Sequence, residues 1–205
     1  MYIAIEGIKG AGKSTLLAQL SQQLKQEGVE FSTFNPTRPM PQNQWWEQAY
    51  GDWQHNDAFI SELYTARANY HALQTDFNQP LVLGDRSILT SIVTRWQSHQ
   101  HDIHSYIQQI LAQEYAVPIP DLVLYLDISL ESACQRLQNR QRDYGLYDET
   151  AQRLQQTKQA YTQLFMWKNE IGLKNVQIQC FDTNQTCSQL FQQVLKYVKN
   201  IAVVT

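Results

Sequence analysis

Gly7-Ile8-Lys9-Gly10-Ala11-Gly12-Lys13-Ser14 is the stretch on which the reading of this chain turns. It matches G-x-x-x-x-G-K-[ST] at every fixed position. Before it stands a short apolar run, Tyr2-Ile3-Ala4-Ile5, and after it come leucines at helical spacing, Leu16, Leu17, Leu20 and Leu24. Strand, glycine turn and helix in that order form an anion cradle. The glycines let the backbone curl so that successive N–H groups point inward. The helix opening near Lys13 adds its positive end. The Lys13 ammonium can reach the outer phosphates of a nucleoside triphosphate, and the Ser14 hydroxyl can ligate Mg²⁺.

Working outward, short apolar runs alternate with helical patterns. Strands are expected at Tyr2 to Ile5, Val29 to Phe34, Leu81 to Leu83, Leu122 to Leu126 and Val176 to Cys180. Helical spacing returns in Leu154, Tyr161, Leu164 and Phe165. Such alternation implies βαβ crossovers and an α/β fold with a parallel sheet covered on both faces. Ligands of such sheets sit at the carboxyl ends of the strands, where the glycine turn falls.

The 205 residues suit one compact domain, with no linker-like run and no internal repeat. A formal net charge of −3 argues against a protein that grips long nucleic acid. The N-terminus reads directly into a strand without a leader, and no segment approaches a membrane-spanning length. Three cysteines, Cys134, Cys180 and Cys187, lack metal-site spacing and read as thiols of a reducing cytoplasm. His99, His101 and His104 lie in a polar connection that does not read as a zinc site.

A second layer of phosphate chemistry follows the third strand. Asp85 and Arg86 stand just beyond Leu81-Val82-Leu83-Gly84. A carboxylate there can serve the metal or take a proton, and a guanidinium can bridge two phosphates with forked hydrogen bonds. Further on, Arg136, Arg140 and Arg142 run into the polar segment Asp143-Tyr144-Gly145-Leu146-Tyr147-Asp148. Arginines on such a segment can close over a triphosphate, neutralise developing charge and exclude water.

With these pieces assembled, the chain resembles the thymidylate kinase family, within the wider nucleoside monophosphate kinase and deoxynucleoside kinase group. Ile5-Glu6-Gly7 leading into Gly10-Ala11-Gly12-Lys13-Ser14-Thr15 is similar to that family's opening. Thr37-Arg38-Pro39 resembles its Thr-Arg-Glu-Pro segment, which gives Arg38 the acceptor's phosphate. Leu63-Tyr64-Thr65-Ala66-Arg67 is similar to the helix that meets the acceptor base, which points to Arg67, with Leu63 where a phenylalanine usually stacks. Pro120 to Asp127 resembles the penultimate strand, Arg140-Gln141-Arg142 the arginines of a LID, and Phe181-Asp182-Thr183 the adenine-contacting loop.

The resemblance implies a P-loop NTPase fold: a five-stranded parallel sheet flanked by helices, one kinase domain over residues 1–205, and a LID at about 140–149. It implies ATP as donor, bound by Gly7, Gly10, Ala11, Gly12, Lys13, Ser14, Thr15 and Arg136, with Mg²⁺ at Ser14 and Asp85. Lys13, Asp85, Arg86, Arg140 and Arg142 would carry the chemistry, and Arg38, Leu63, Arg67 and Arg86 would hold the acceptor, dTMP foremost. A cytoplasmic homodimer acting on small nucleotides is the matching expectation.

Several residues depart from the family's pattern. Lys9 replaces an acidic residue of the P-loop, a change expected to alter how a 3′-hydroxyl is held or to favour an extra phosphate. After Arg38 the usual glycines give way to prolines and to Trp45, Trp46, Tyr50 and Trp53, whose spacing suits the core face of a helix better than stacking on a base. Asp85-Arg86-Ser87 also resembles the Glu-Arg-Ser signature of deoxynucleoside kinases. Two alternatives therefore stand beside the monophosphate kinase. One is a deoxynucleoside kinase with Asp85 as general base on a 5′-hydroxyl. The other is a diverged nucleotide-binding paralogue with little kinase activity.

Overall fold

The computed structural model describes residues 1–41, 56–96, 102–140 and 148–202. Five strands form one sheet: β1 (Tyr2–Glu6), β2 (Ser32–Phe34), β3 (Val82–Asp85), β4 (Leu122–Asp127) and β5 (Gln177–Asp182). Their spatial order is β2-β3-β1-β4-β5, and every pairing is parallel. All five runs expected to be strands are strands. Val29 is exposed and precedes β2, while β3 runs on through Asp85, which is its last residue and not one beyond it.

Among the described residues seven helices cover the sheet: α1 (Lys13–Gln26), α2 (Asp57–Leu73), α3 (Ile88–Thr94), α4 (Ile103–Gln113), α5 (Leu130–Gln138), α6 (Ala151–Trp167) and α7 (Cys187–Ala202). Alternate side chains of a strand point to opposite faces, and the core divides accordingly. Tyr2, Ala4, Val82, Val123 and Tyr125 pack with Ile88, Ile107 and Tyr161 on one side. Ile3, Ile5, Leu83, Leu122 and Leu124 pack with Leu16, Leu20 and Val194 on the other. The central strands β1, β3 and β4 are near-continuous apolar runs because both their faces are dry, whereas the edge strands β2 and β5 are partly exposed. Glu6, on the face of Tyr2 and Ala4, is a carboxylate with no exposure to solvent, and Asp85 at the end of β3 is a second buried one.

Register sets the geometry of everything that follows. Ile5 pairs with Asp85 and Glu6 with Tyr125, so β1 and β3 end within one residue of each other, while the neighbouring β4 runs two residues further to Asp127. No helix among the described residues is long and apolar enough to cross a membrane. Trp45, Trp46, Tyr50, Trp53, His99 and His101 fall outside the described residues. His104 stacks on Trp167 with centroids 6.0 Å apart, and no metal-holding cluster occurs among the described residues.

Candidate active site

The turn after β1 wraps back on itself so that Ala11 N donates to Ile8 O at 3.3 Å. Two glycines are required there by backbone shape. Gly10 has φ 85°, and a Cβ on it would lie 2.8 Å from the Ala133 carbonyl oxygen of α5. Gly12 has φ 96° at the N-cap of α1, a left-handed conformation that side chains resist. Lys13 then starts the helix with its side chain folded over the turn, Nζ donating to Ile8 O at 2.8 Å. Burial pushes this ammonium well below the usual lysine range. Arg86 and Lys9 push the same way, against Asp85 and Glu6.

Across the sheet, Asp85 ends β3 and accepts a hydrogen bond from Ser14 Oγ at 2.5 Å. Hydroxyl and carboxylate oxygens this close are a hard donor set of the kind that Mg²⁺ takes. Arg86 comes next with φ 84°, the one non-glycine residue at positive φ among those described. The strain is held from both sides: Arg86 N donates to Ile5 O at 3.0 Å, and the Tyr2 hydroxyl donates to Arg86 O at 3.3 Å. Ser87 then caps α3 by accepting from Leu89 N at 3.2 Å, which gives this serine a structural reason of its own.

These turns open into a cavity of about 830 Å³. Its wall includes Gly10, Ala11, Gly12, Lys13, Ser14 and Thr15 of the glycine turn and α1, Asp85 and Arg86 at the end of β3, Arg136 and Arg140 on and just after α5, and Arg38, Tyr64 and Arg67 from the turn after β2 and α2. Arg136 ties the glycine turn to the turn after β5, donating from Nη1 to Gly10 O at 3.3 Å and from Nη2 to Thr183 O at 2.7 Å. Thr183, on the expected adenine loop, lies on the wall as well. Gly7 stands behind the wall, where a Cβ would lie 2.6 Å from Leu126 O. Arg142 lies outside the described residues, as does residue 141 and everything up to 147.

Arg67 is buried on α2, donates to Thr37 O at 3.4 Å and lies over the Tyr64 ring at 5.5 Å. Arg38 is exposed to the cavity from the turn after β2. Leu63 is buried and lies outside the cavity lining, and its neighbour Tyr64 stands there instead. Helical rotation by one residue explains the difference, since adjacent positions face about 100° apart.

Lys9 is held by acids. Its Nζ lies 4.0 Å from Asp148 Oδ2 and 3.9 Å from Glu149 Oε1. Asp148 also accepts from Arg95 Nη1 at 3.1 Å and from the Tyr64 hydroxyl at 3.4 Å. The charge reversal at position 9 is therefore answered by carboxylates from the segment before α6. Lys9 thus has carboxylate partners within the protein itself.

A lysine-capped anion cradle at the carboxyl end of a parallel sheet, in the order β2-β3-β1-β4-β5, defines a nucleotide-binding protein with the P-loop NTPase fold. A deoxyadenosine kinase from M. mycoides, solved with bound dATP, shares that fold with a TM-score of 0.71 at 20% identity, over 97% of this chain and 100% of that one. The sequence profile of thymidylate kinase matches residues 5–184, and the chain belongs to the thymidylate kinase family. The thymidylate kinase of Acinetobacter baumannii (strain AYE) is 25% identical over 97% of this chain and 100% of its own length. A probable thymidylate kinase of Methanococcus maripaludis is 26% identical over 96% of this chain and 94% of its own. The protein is an ATP-dependent nucleotide kinase.

Proposed function

We propose that the protein transfers the γ-phosphoryl group of ATP to a deoxynucleoside monophosphate, dTMP foremost, to give the diphosphate. The carrying observation is Arg38, an exposed cation on the turn after β2 that lines the same cavity as Lys13 and Arg86. An acceptor that already bears a phosphate needs a cation there, and a nucleoside does not. The acceptor's ionised phosphate oxygen attacks the γ-phosphorus in line and the ADP oxygen leaves, so no general base is required. Lys13 and Arg86 stabilise the charge that spreads over the transferring group, with Arg140 and Arg142 closing from the LID at about 140–149. Arg67 and Tyr64 face the acceptor base, and Arg136 with Thr183 borders the adenine.

Mg²⁺ held by Ser14, with Asp85 behind it, would neutralise and orient the outer phosphates. The Ser14–Asp85 contact supports that placement. One kinase domain over residues 1–205 and a cytoplasmic homodimer complete the reading. Related kinases often pair in this way, and sedimentation checks the dimer.

The deoxynucleoside kinase remains the second reading, supported by Asp85-Arg86-Ser87. In the structure Asp85 is turned toward Ser14, the metal side of the cavity, and that favours the monophosphate. Arg38→Ala separates the two readings. The KM for dTMP should rise about tenfold or more with the KM for ATP unchanged, because only the acceptor's phosphate loses a partner. Phosphorylation of thymidine that is indifferent to Arg38, with no turnover of dTMP, would sink the monophosphate reading.

A further inference from the structure

Glu6 takes no part in lining the cavity and has no exposure to solvent, yet it sits one residue before the glycine turn. Its carboxylate accepts four hydrogen bonds. Oε1 receives the Ser87 N–H at 2.7 Å and the Ser87 hydroxyl at 2.6 Å. Oε2 receives the Thr90 hydroxyl at 2.8 Å and the Tyr161 hydroxyl at 2.6 Å. A carboxylate in a dry core is costly to bury even when every lone pair is used, and an apolar residue would serve the fold at least as well. Three of the four donors lie just downstream of Arg86, on the turn and first helical turn that aim it. Thr90 closes the circuit by accepting from Arg86 Nη1 at 3.2 Å.

We propose that Glu6 is a positioning residue for phosphoryl transfer: it locks the turn after β3 so that Arg86, in its left-handed backbone conformation, keeps its guanidinium on the cavity. The inference rests on the reading of Arg86 given above. Tyr161 enters the same lock from α6, the helix that follows the LID, so the carboxylate ties three parts of the molecule to one side chain.

Glu6→Gln keeps the size but puts an NH₂ group against two donors. With Arg86 intact, kcat should fall about tenfold or more while both KM values stay within about twofold. With Arg86→Ala already in place, the same change should alter kcat by less than about twofold, because the residue that it positions is gone. Tyr161→Phe, which keeps the charge and touches no ligand, should show a smaller loss of about threefold with the same kcat-only split, and it carries the test if Glu6→Gln does not fold. Equal losses with and without Arg86 would make Glu6 a fold residue and overturn the proposal. So would an unchanged Glu6→Gln enzyme beside a crippled Arg86→Ala enzyme. Arg86→Ala with normal turnover would instead overturn the reading of Arg86 itself, and with it any need to position that residue.

Discussion

The two proposed subsites of the cavity are built on different principles. At the proposed donor end, backbone does the work: Gly10 and Gly12 bend a turn that is continuous in sequence, and Lys13 folds back onto Ile8 five residues earlier. At the proposed acceptor end, side chains from distant elements meet. Lys9 faces Asp148 and Glu149, Arg95 faces Asp148, and Arg67 reaches from α2 to the turn after β2. A backbone cradle admits little change, whereas a side-chain cluster can exchange its charges and still balance. That difference explains how position 9 carries a cation here without emptying the site of acids.

The donor end should break hardest. Lys13→Met is expected to lower turnover by about two orders of magnitude through lost electrostatic stabilisation. Because burial depresses the Lys13 pKa, its charge costs the unliganded fold stability at low pH, and that cost is relieved as pH rises through the folded pKa toward the unfolded value. Melting curves should therefore show the Met variant more stable than the parent without ATP at neutral pH and less stabilised by ATP. Near-normal turnover in this variant would remove Lys13 from the chemistry.

Asp85→Asn sharpens the same end. It leaves Ser14 a weaker partner, and the Mg²⁺ concentration for half-maximal turnover should rise about tenfold. A titration of rate against Mg²⁺ checks this, and an unshifted midpoint would take Asp85 away from the metal. Lys9→Ala probes the acceptor end and should do least. Its two ion pairs are mostly shielded from solvent but long, so the expected loss is about 1 kcal/mol of stability. The acceptor KM should change about threefold and the ATP KM should not move. A large effect on ATP would show that the two ends are not separable in the way drawn here.

What could be read from the sequence follows the same division. The donor cradle and all five strands were legible because their signals are local: a fixed glycine spacing, apolar runs and helical periodicity. Asp85 and Arg86 were legible as a pair because they end a strand. The pairing of Lys9 with Asp148 was not, since nothing in either residue's neighbourhood points across some 140 positions of chain. Leu63 was expected on the acceptor wall by alignment of a motif, but packing turns Tyr64 there instead. In the sequence Glu6 stands only as part of an opening motif, Ile5-Glu6-Gly7. A lone acid at the end of an apolar strand was its one visible signal, and the four donors that explain it come from β3–α3 and α6. The tryptophan-rich stretch and Arg142 lie outside the described residues.

The most direct test of the central claim is to supply γ-labelled ATP and Mg²⁺ with dTMP, other deoxynucleoside monophosphates and the free deoxynucleosides, and to identify the labelled product. The account predicts label in a nucleoside diphosphate, dTDP foremost, at rates well above those with any nucleoside. Label appearing only in a monophosphate made from a nucleoside, or only in inorganic phosphate, would contradict it.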